Sequence, residues 1–188
     1  MTITARIQEK LENYRTHVLM AIDYFSQKRW DEAAVRFRMS AEAYMKVIIY
    51  EHLGDAFGHE VILGHKSPNG TALTRSYSLF YYELKNLCVD SNNNWIDVTT
   101  DQIIEGIKDK ASANAHDSNT KLDLAAQEAQ LDECYELSKD LTTKLYAHIG
   151  KPVPGELKNA YEDGVVDSQM ISTLRMTDMD YFVEQVDN

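Results

Sequence analysis

The chain has 188 residues, 44% hydrophobic and 26% charged, with 19 basic against 30 acidic side chains and a formal net charge of −11. That length fits one domain with an appendage and can bury a continuous core without metal or disulfide staples. The charge disfavours broad, sequence-independent binding to a phosphate backbone, and no apolar run approaches the roughly 20 residues of a bilayer span.

Cys88 and Cys134 lie far apart without metal-ligand spacing. Buried free thiols in a reducing compartment fit them best. Met1 to Arg6 carries no signal-peptide core, so a cytoplasmic protein away from membranes is expected.

Residues 3–27 read as a first helix, because Ile7, Leu11, Tyr14, Val18, Ala21, Ile22 and Phe25 recur at three and four residues and so share one face. A second helix runs from about 31 to 53, with Ala34, Phe37, Ala41, Tyr44, Met45 and Ile48 as its stripe and Ala33, Val35, Val47 and Ile49 widening it. A face that wide implies more than one neighbour, which makes this the central helix. Gly54 stops it.

Residues 55–71, with Gly58, Gly64, Pro68 and Gly70, read as connection, with a short helical turn from Asp55 to Leu63. His52, His59 and His65 match no compact metal signature. A third helix is expected over 72–88, using Leu73, Tyr77, Phe80, Tyr81, Leu84, Leu87 and Cys88, before the polar turn Asp90 to Asn94. Thr99 or Thr100 then caps a fourth helix from near Asp101, with Ile103, Ile104 and Ile107 inward. Gly106 weakens it or permits a close backbone crossing.

The last long helix covers about 121–148 through Leu124, Leu131, Cys134, Leu137, Leu141 and Leu145, and Gly150, Pro152 and Pro154 end it. Residues 149–188 hold three basic and eight acidic residues, net −5, with apolar anchors from Ile171 to Val186. They read as one or two docking helices or an acidic extension ordered by a partner. The economical fold is an all-α bundle of four or five helices over 1–148, with that extension over 149–188.

The segment from Ile107 to Asp117 gathers Lys108, Lys110, Asn114, His116 and Asp117 near a helix end. His116 has the intrinsic pKa range of a general acid or base on a ribose-phosphate backbone. Lys110 or Lys108 would stabilise phosphoryl charge, Asn114 would orient a ligand, and Asp117 would hold the imidazole tautomer. This chemistry needs neither zinc nor magnesium, so no cofactor or metal is expected. A plainer reading uses the same residues to cap a helix and fix a turn. Lys110 and His116 stand about 240° apart on an unbroken helix, so a bend at Ala113-Asn114 or a second subunit would have to join them. Arg38 and Glu42 pair at i,i+4 on the central helix, with Arg36 beside them. From a bundle groove, Glu42 would order His116 or a cation. Tyr81-Tyr82 with Lys85 offers a base-binding reading against one of helix packing.

The run Ala33 to Lys46, the segment Ile107 to Asp117 with its Asn114-Ala115-His116, and the long helix ending near His148 resemble the HEPN superfamily over about 3–148. The likeness is to its bacterial defence and helicase-associated branch. It implies a four- or five-helix bundle, frequent homodimers and, in catalytic members, metal-independent RNA cleavage by an arginine and a histidine four to six residues later. His116 matches that histidine, but Lys110 takes the longest spacing and Ala111 and Ser112 the shorter ones. Lysine lacks the planar fork of guanidinium. The resemblance therefore implies a noncatalytic, dimeric interaction module working with a helicase, nuclease or other defence protein. The alternative is an endoribonuclease acting on RNA through His116, Lys110, Asp117 and Glu42, with Asn114, Lys108 and Arg38 binding or orienting substrate.

Overall fold

The computed structural model describes residues 1–75, 77–90, 93–115 and 124–174. Its elements are α1 (Ala5–Ser26), α2 (Trp30–Leu53), α3 (Asp55–Ile62), α4 (Tyr81–Val89), α5 (Val98–Ala115), α6 (Leu124–His148) and α7 (Gly155–Asp163). Helical backbone also covers 168–174. The fold is an all-α bundle built on four long helices, α1, α2, α5 and α6. Among the described residues the β pairing is one isolated antiparallel bridge, Lys66 to Ala72.

Helix α1 starts where the Thr4 hydroxyl accepts the Ile7 N–H at 3.3 Å, and its expected apolar face is buried from Ile7 to Ile22. That face lies along α2, which also touches α3, α4, α5 and α6. Phe37, Ala41, Met45, Ile48 and Ile49 of α2 are fully buried. Small side chains at Ala33, Ala34, Ala41 and Ala43 let neighbours approach closely, so α2 is the axis of the core. Val35, expected on the buried stripe, is instead 45% exposed.

Two element boundaries differ from the sequence expectation. The described part of 72–80 is not helical, and Leu73, Tyr77 and Phe80 are exposed rather than core. The chain there folds back: Leu73 N–H bonds the His65 carbonyl at 2.8 Å and Leu79 N–H bonds the Ile62 carbonyl at 2.8 Å. Helix α4 begins only at Tyr81, where the Glu83 carboxylate accepts the Phe80 N–H at 2.9 Å. Helix α5 begins at Val98 and is capped by Asp97, whose carboxylate accepts the Thr100 N–H at 2.6 Å. Thr100 lies buried in the first turn instead of capping it. Aspartate is the stronger N-cap of the three, and its position in the chain places it ahead of both threonines.

Gly106 sits where α5 crosses α6. A Cβ built there lies 2.8 Å from Leu137 Cδ1, the tip of a half-buried side chain, so the glycine makes room for that leucine rather than for the α6 backbone. Helix α7 buries Leu157, Ala160 and Tyr161 and is tied in by hydroxyls. Tyr161 OH lies 2.6 Å from Ser138 Oγ and 3.1 Å from Thr142 Oγ1, which in turn lies 2.8 Å from Tyr14 OH. This chain of buried hydroxyls links α7, α6 and α1 with every member partnered, as burial of polar atoms demands. Cys88 and Cys134 are buried and free.

The Thr100 hydroxyl and N–H, with Lys144 beside them, hold the Asp97 carboxyl at about 2, below its usual 3.8. A depressed folded pKa means the contribution is present above the unfolded value and lost as pH falls through the folded one. Asp97→Ala removes the N-cap and lowers unfolding free energy by about 1 kcal/mol at neutral pH, the exposure of the carboxylate leaving the ion pair with Lys144 a small share. In urea titrations its deficit against the unsubstituted chain holds down to about pH 4 and shrinks below that. Gly106→Val turns the Leu137 side chain aside and costs about 1 kcal/mol by the same measurement.

Candidate functional site

Helix α2 leaves one strip only partly covered. Val35, Arg38, Met39, Glu42 and Lys46 fall on it at steps of three and four residues. Beside this strip lies a cavity of about 370 Å³, lined by Ala34, Val35, Arg38, Met39 and Glu42 of α2 and by Ala111 and Ser112 of α5. The walls are mostly apolar.

Arg38 Nε stands 3.7 Å from Glu42 Oε1, and the Arg38 guanidinium lies 5.5 Å from the Tyr81 ring centroid. Tyr81 is buried and donates its hydroxyl to the Ile104 carbonyl at 2.7 Å, so the ring is fixed beneath the cation. Burial pushes the Glu42 carboxyl above its ordinary range, against the pull of Lys46 and Arg38. Burial also lowers Lys46, with Glu42 opposing that shift. Both groups thus lean towards neutrality, because removal from water outweighs a partner at this distance.

The α5 lysines meet other carboxylates. Lys108 pairs with Glu105 at 3.2 Å and stands 3.9 Å from Asp109, and Lys110 pairs with Glu133 of α6 at 2.5 Å. Glu105 also takes Lys85 at 2.5 Å, and Lys85 lies 3.4 Å from Asp101. Tyr81 therefore packs inward and Lys85 is held between carboxylates, which leaves Tyr82, 61% exposed, as the aromatic of that group facing solvent.

The structure brings Arg38 and Glu42 together beside α5, as their spacing suggests. Helix α5 stays helical through Ala115, so Ala113-Asn114 neither breaks nor ends it. The Asn114 side chain, His116 and Asp117 lie outside what the structure describes. The three histidines of the 52–65 region go to three places. His52 stacks on Trp95 at 4.7 Å, His59 Nδ1 lies 3.2 Å from Tyr50 OH, and His65 Nδ1 lies 3.7 Å from Glu60. Sequence reasoning missed Met39, Lys46 and Tyr81 as neighbours of the Arg38–Glu42 couple. The i,i+4 step from Glu42 to Lys46 was a readable signal; the Tyr81 contact, made across two helices, was not.

No known family model, curated protein or solved structure matches the chain.

Glu42 and Lys46 are most economically changed together. Burial outweighs the pull of Lys46 and Arg38 on the Glu42 carboxyl, so Glu42→Gln raises the urea midpoint at neutral pH, and the gain shrinks as pH falls to where the carboxyl is protonated. Adding Lys46→Met removes the second group that burial penalises and raises the midpoint further. Urea midpoints of the single and double variants check the sign.

Proposed function

We propose that this chain is a noncatalytic helical interaction module of a nucleic-acid-processing or antiviral defence assembly, engaging itself or a larger partner. The observation that carries this reading is the state of the cations. Lys108 and Lys110 each hold a carboxylate, and Arg38 is shared between Glu42 and Tyr81. A phosphoryl-transfer site needs positive charge aimed at the developing anion. Lys108 and Lys110, each paired with a carboxylate, supply little of it. The groove that Arg38 and Glu42 border is otherwise walled by Ala34, Val35, Met39, Ala111 and Ser112, a lining suited to packing.

The rival reading, a metal-independent endoribonuclease of the HEPN type using His116, draws on one feature. Ala111 and Ser112 share the groove with Arg38 and Glu42, and His116 follows Ser112 by four residues. In that reading Arg38, which lines the groove with Ser112, supplies the positive charge that Lys110, paired with Glu133, does not.

The test is an RNA-cleavage assay in chelator with single-stranded and structured substrates. The module reading expects no cleavage above buffer. Cleavage lost in both His116→Ala and Arg38→Ala, with the helical circular dichroism of each variant unchanged, overturns it in favour of the nuclease.

A further inference from the structure

One strip of the bundle differs in charge from the rest. Beyond the acidic first turn of α2, its partly covered face carries Arg36, Arg38 and Lys46 against one carboxylate, Glu42, in a chain of net charge −11. Arg38 and Lys46 both act on that carboxylate, and Arg36 Nη1 lies 3.1 Å from His17 Nδ1 of α1. Between the two arginines the strip is apolar. Val35 is 45% exposed, and Met39 lines the cavity of about 370 Å³.

The C-terminal stretch of the same chain has the complementary pattern. Residues 175–188 hold Asp178, Asp180, Glu184 and Asp187 against Arg175, with Met176, Met179, Val183 and Val186 at three- and four-residue steps and Phe182 beside them. Helical spacing would put these apolar residues on one face, with Asp180, Glu184 and Asp187 along its edge. The stretch starts within reach of the strip. Ile171 and Leu174, just ahead of it, are buried. Tyr161 of α7 packs its ring 5.4 Å from that of Tyr135, which lies 6.4 Å from the ring of Phe37 on α2. Helix α7 therefore ends at the level of the bundle where Arg36 and Arg38 flank Phe37 in the sequence. The 14 residues of 175–188 span about 20 Å as a helix and about 45 Å extended. A folded chain of this length has a radius of gyration of about 16 Å.

We infer that residues 175–188 dock along the α2 strip of their own chain, with their apolar residues against Val35 and Met39 and their carboxylates against Arg36 and Arg38. Two other surfaces offer such a segment less. Among the exposed rings of 73–82 the Arg75 guanidinium is held by Glu83 at 2.6 Å, and beside α7 Arg15 lies between Glu12 and Glu156. An acidic segment gains least where a carboxylate already holds the cation. Tethering also favours this chain's own segment over a separate acidic partner, because it sets an effective concentration of about millimolar. The inference rests on the reading of this groove as a packing surface and names what fills it.

Hydrogen exchange of the full chain, read by mass spectrometry, tests it. Amides of 176–187 are expected to exchange about tenfold or more slowly than in an unstructured peptide, and equally so from about 1 to 100 µM protein. Arg36→Glu/Arg38→Glu is expected to remove that protection. Asp178→Asn/Asp180→Asn/Glu184→Gln, which alters no described helix, is expected to remove it as well. Combining Arg36→Glu/Arg38→Glu with Asp180→Lys/Glu184→Lys is expected to restore it. Lys139→Glu, an exposed charge reversal on α6, leaves it unchanged. An unprotected segment, protection indifferent to both the groove and the segment variants, or a charge swap that restores nothing overturns the inference. Protection that grows with concentration overturns it in favour of the segment of a second copy. RNA cleavage would overturn the module reading without touching this contact, and an unprotected segment would leave the cleavage result standing.

Discussion

Everything in this bundle is arranged around the burial of α2. Five other helices touch it, and most of its side chains from Ala33 to Tyr50 are buried, the main exception being one strip. A helix enclosed that far can place charged residues only where enclosure fails. Arg38, Glu42 and Lys46 occupy that strip, and their mutual distances follow from the helical repeat rather than from any demand of a ligand. The groove is in this sense the remainder of the core, bounded on its far side by the small residues Ala111 and Ser112 of α5.

Much of the architecture was legible because three of the long helices bury clean stripes. Ile7 to Ile22, Phe37 to Ile48, and Leu131 to Leu145 repeat at helical spacing and are buried as that spacing implies. The stretch 72–80 misled for a physical reason. Leu73, Tyr77 and Phe80 stand at four- and three-residue steps, which is the signature of a buried helical stripe. The same steps on a returning loop produce a cluster of exposed rings. Backbone bonds to His65 and Ile62 settle the difference, and such long-range bonds leave no trace in a local pattern. The α5 start was readable by contrast, since Asp97 outranks both threonines as a cap.

The candidate site was legible in its local half. An arginine and a glutamate one turn apart could be paired from spacing alone, and they are paired. Which ring lies beneath Arg38, and which carboxylates hold Lys108 and Lys110, depend on how α4, α5 and α6 are set against one another. Amphipathic periodicity says which side of a helix turns inward but not what it meets there.

The two thiols have a consequence of their own. Cys88 Sγ lies 3.9 Å from the Met45 carbonyl, between α4 and α2, and Cys134 Sγ lies 3.7 Å from the Ile107 carbonyl, between α6 and α5. Burial pushes both up to about 12, so neither offers thiolate to a reagent while the helices stay closed. Each sulfur therefore serves as a silent gauge for one joint of the bundle. The order in which they become alkylated during slow opening would tell which pair of helices parts first.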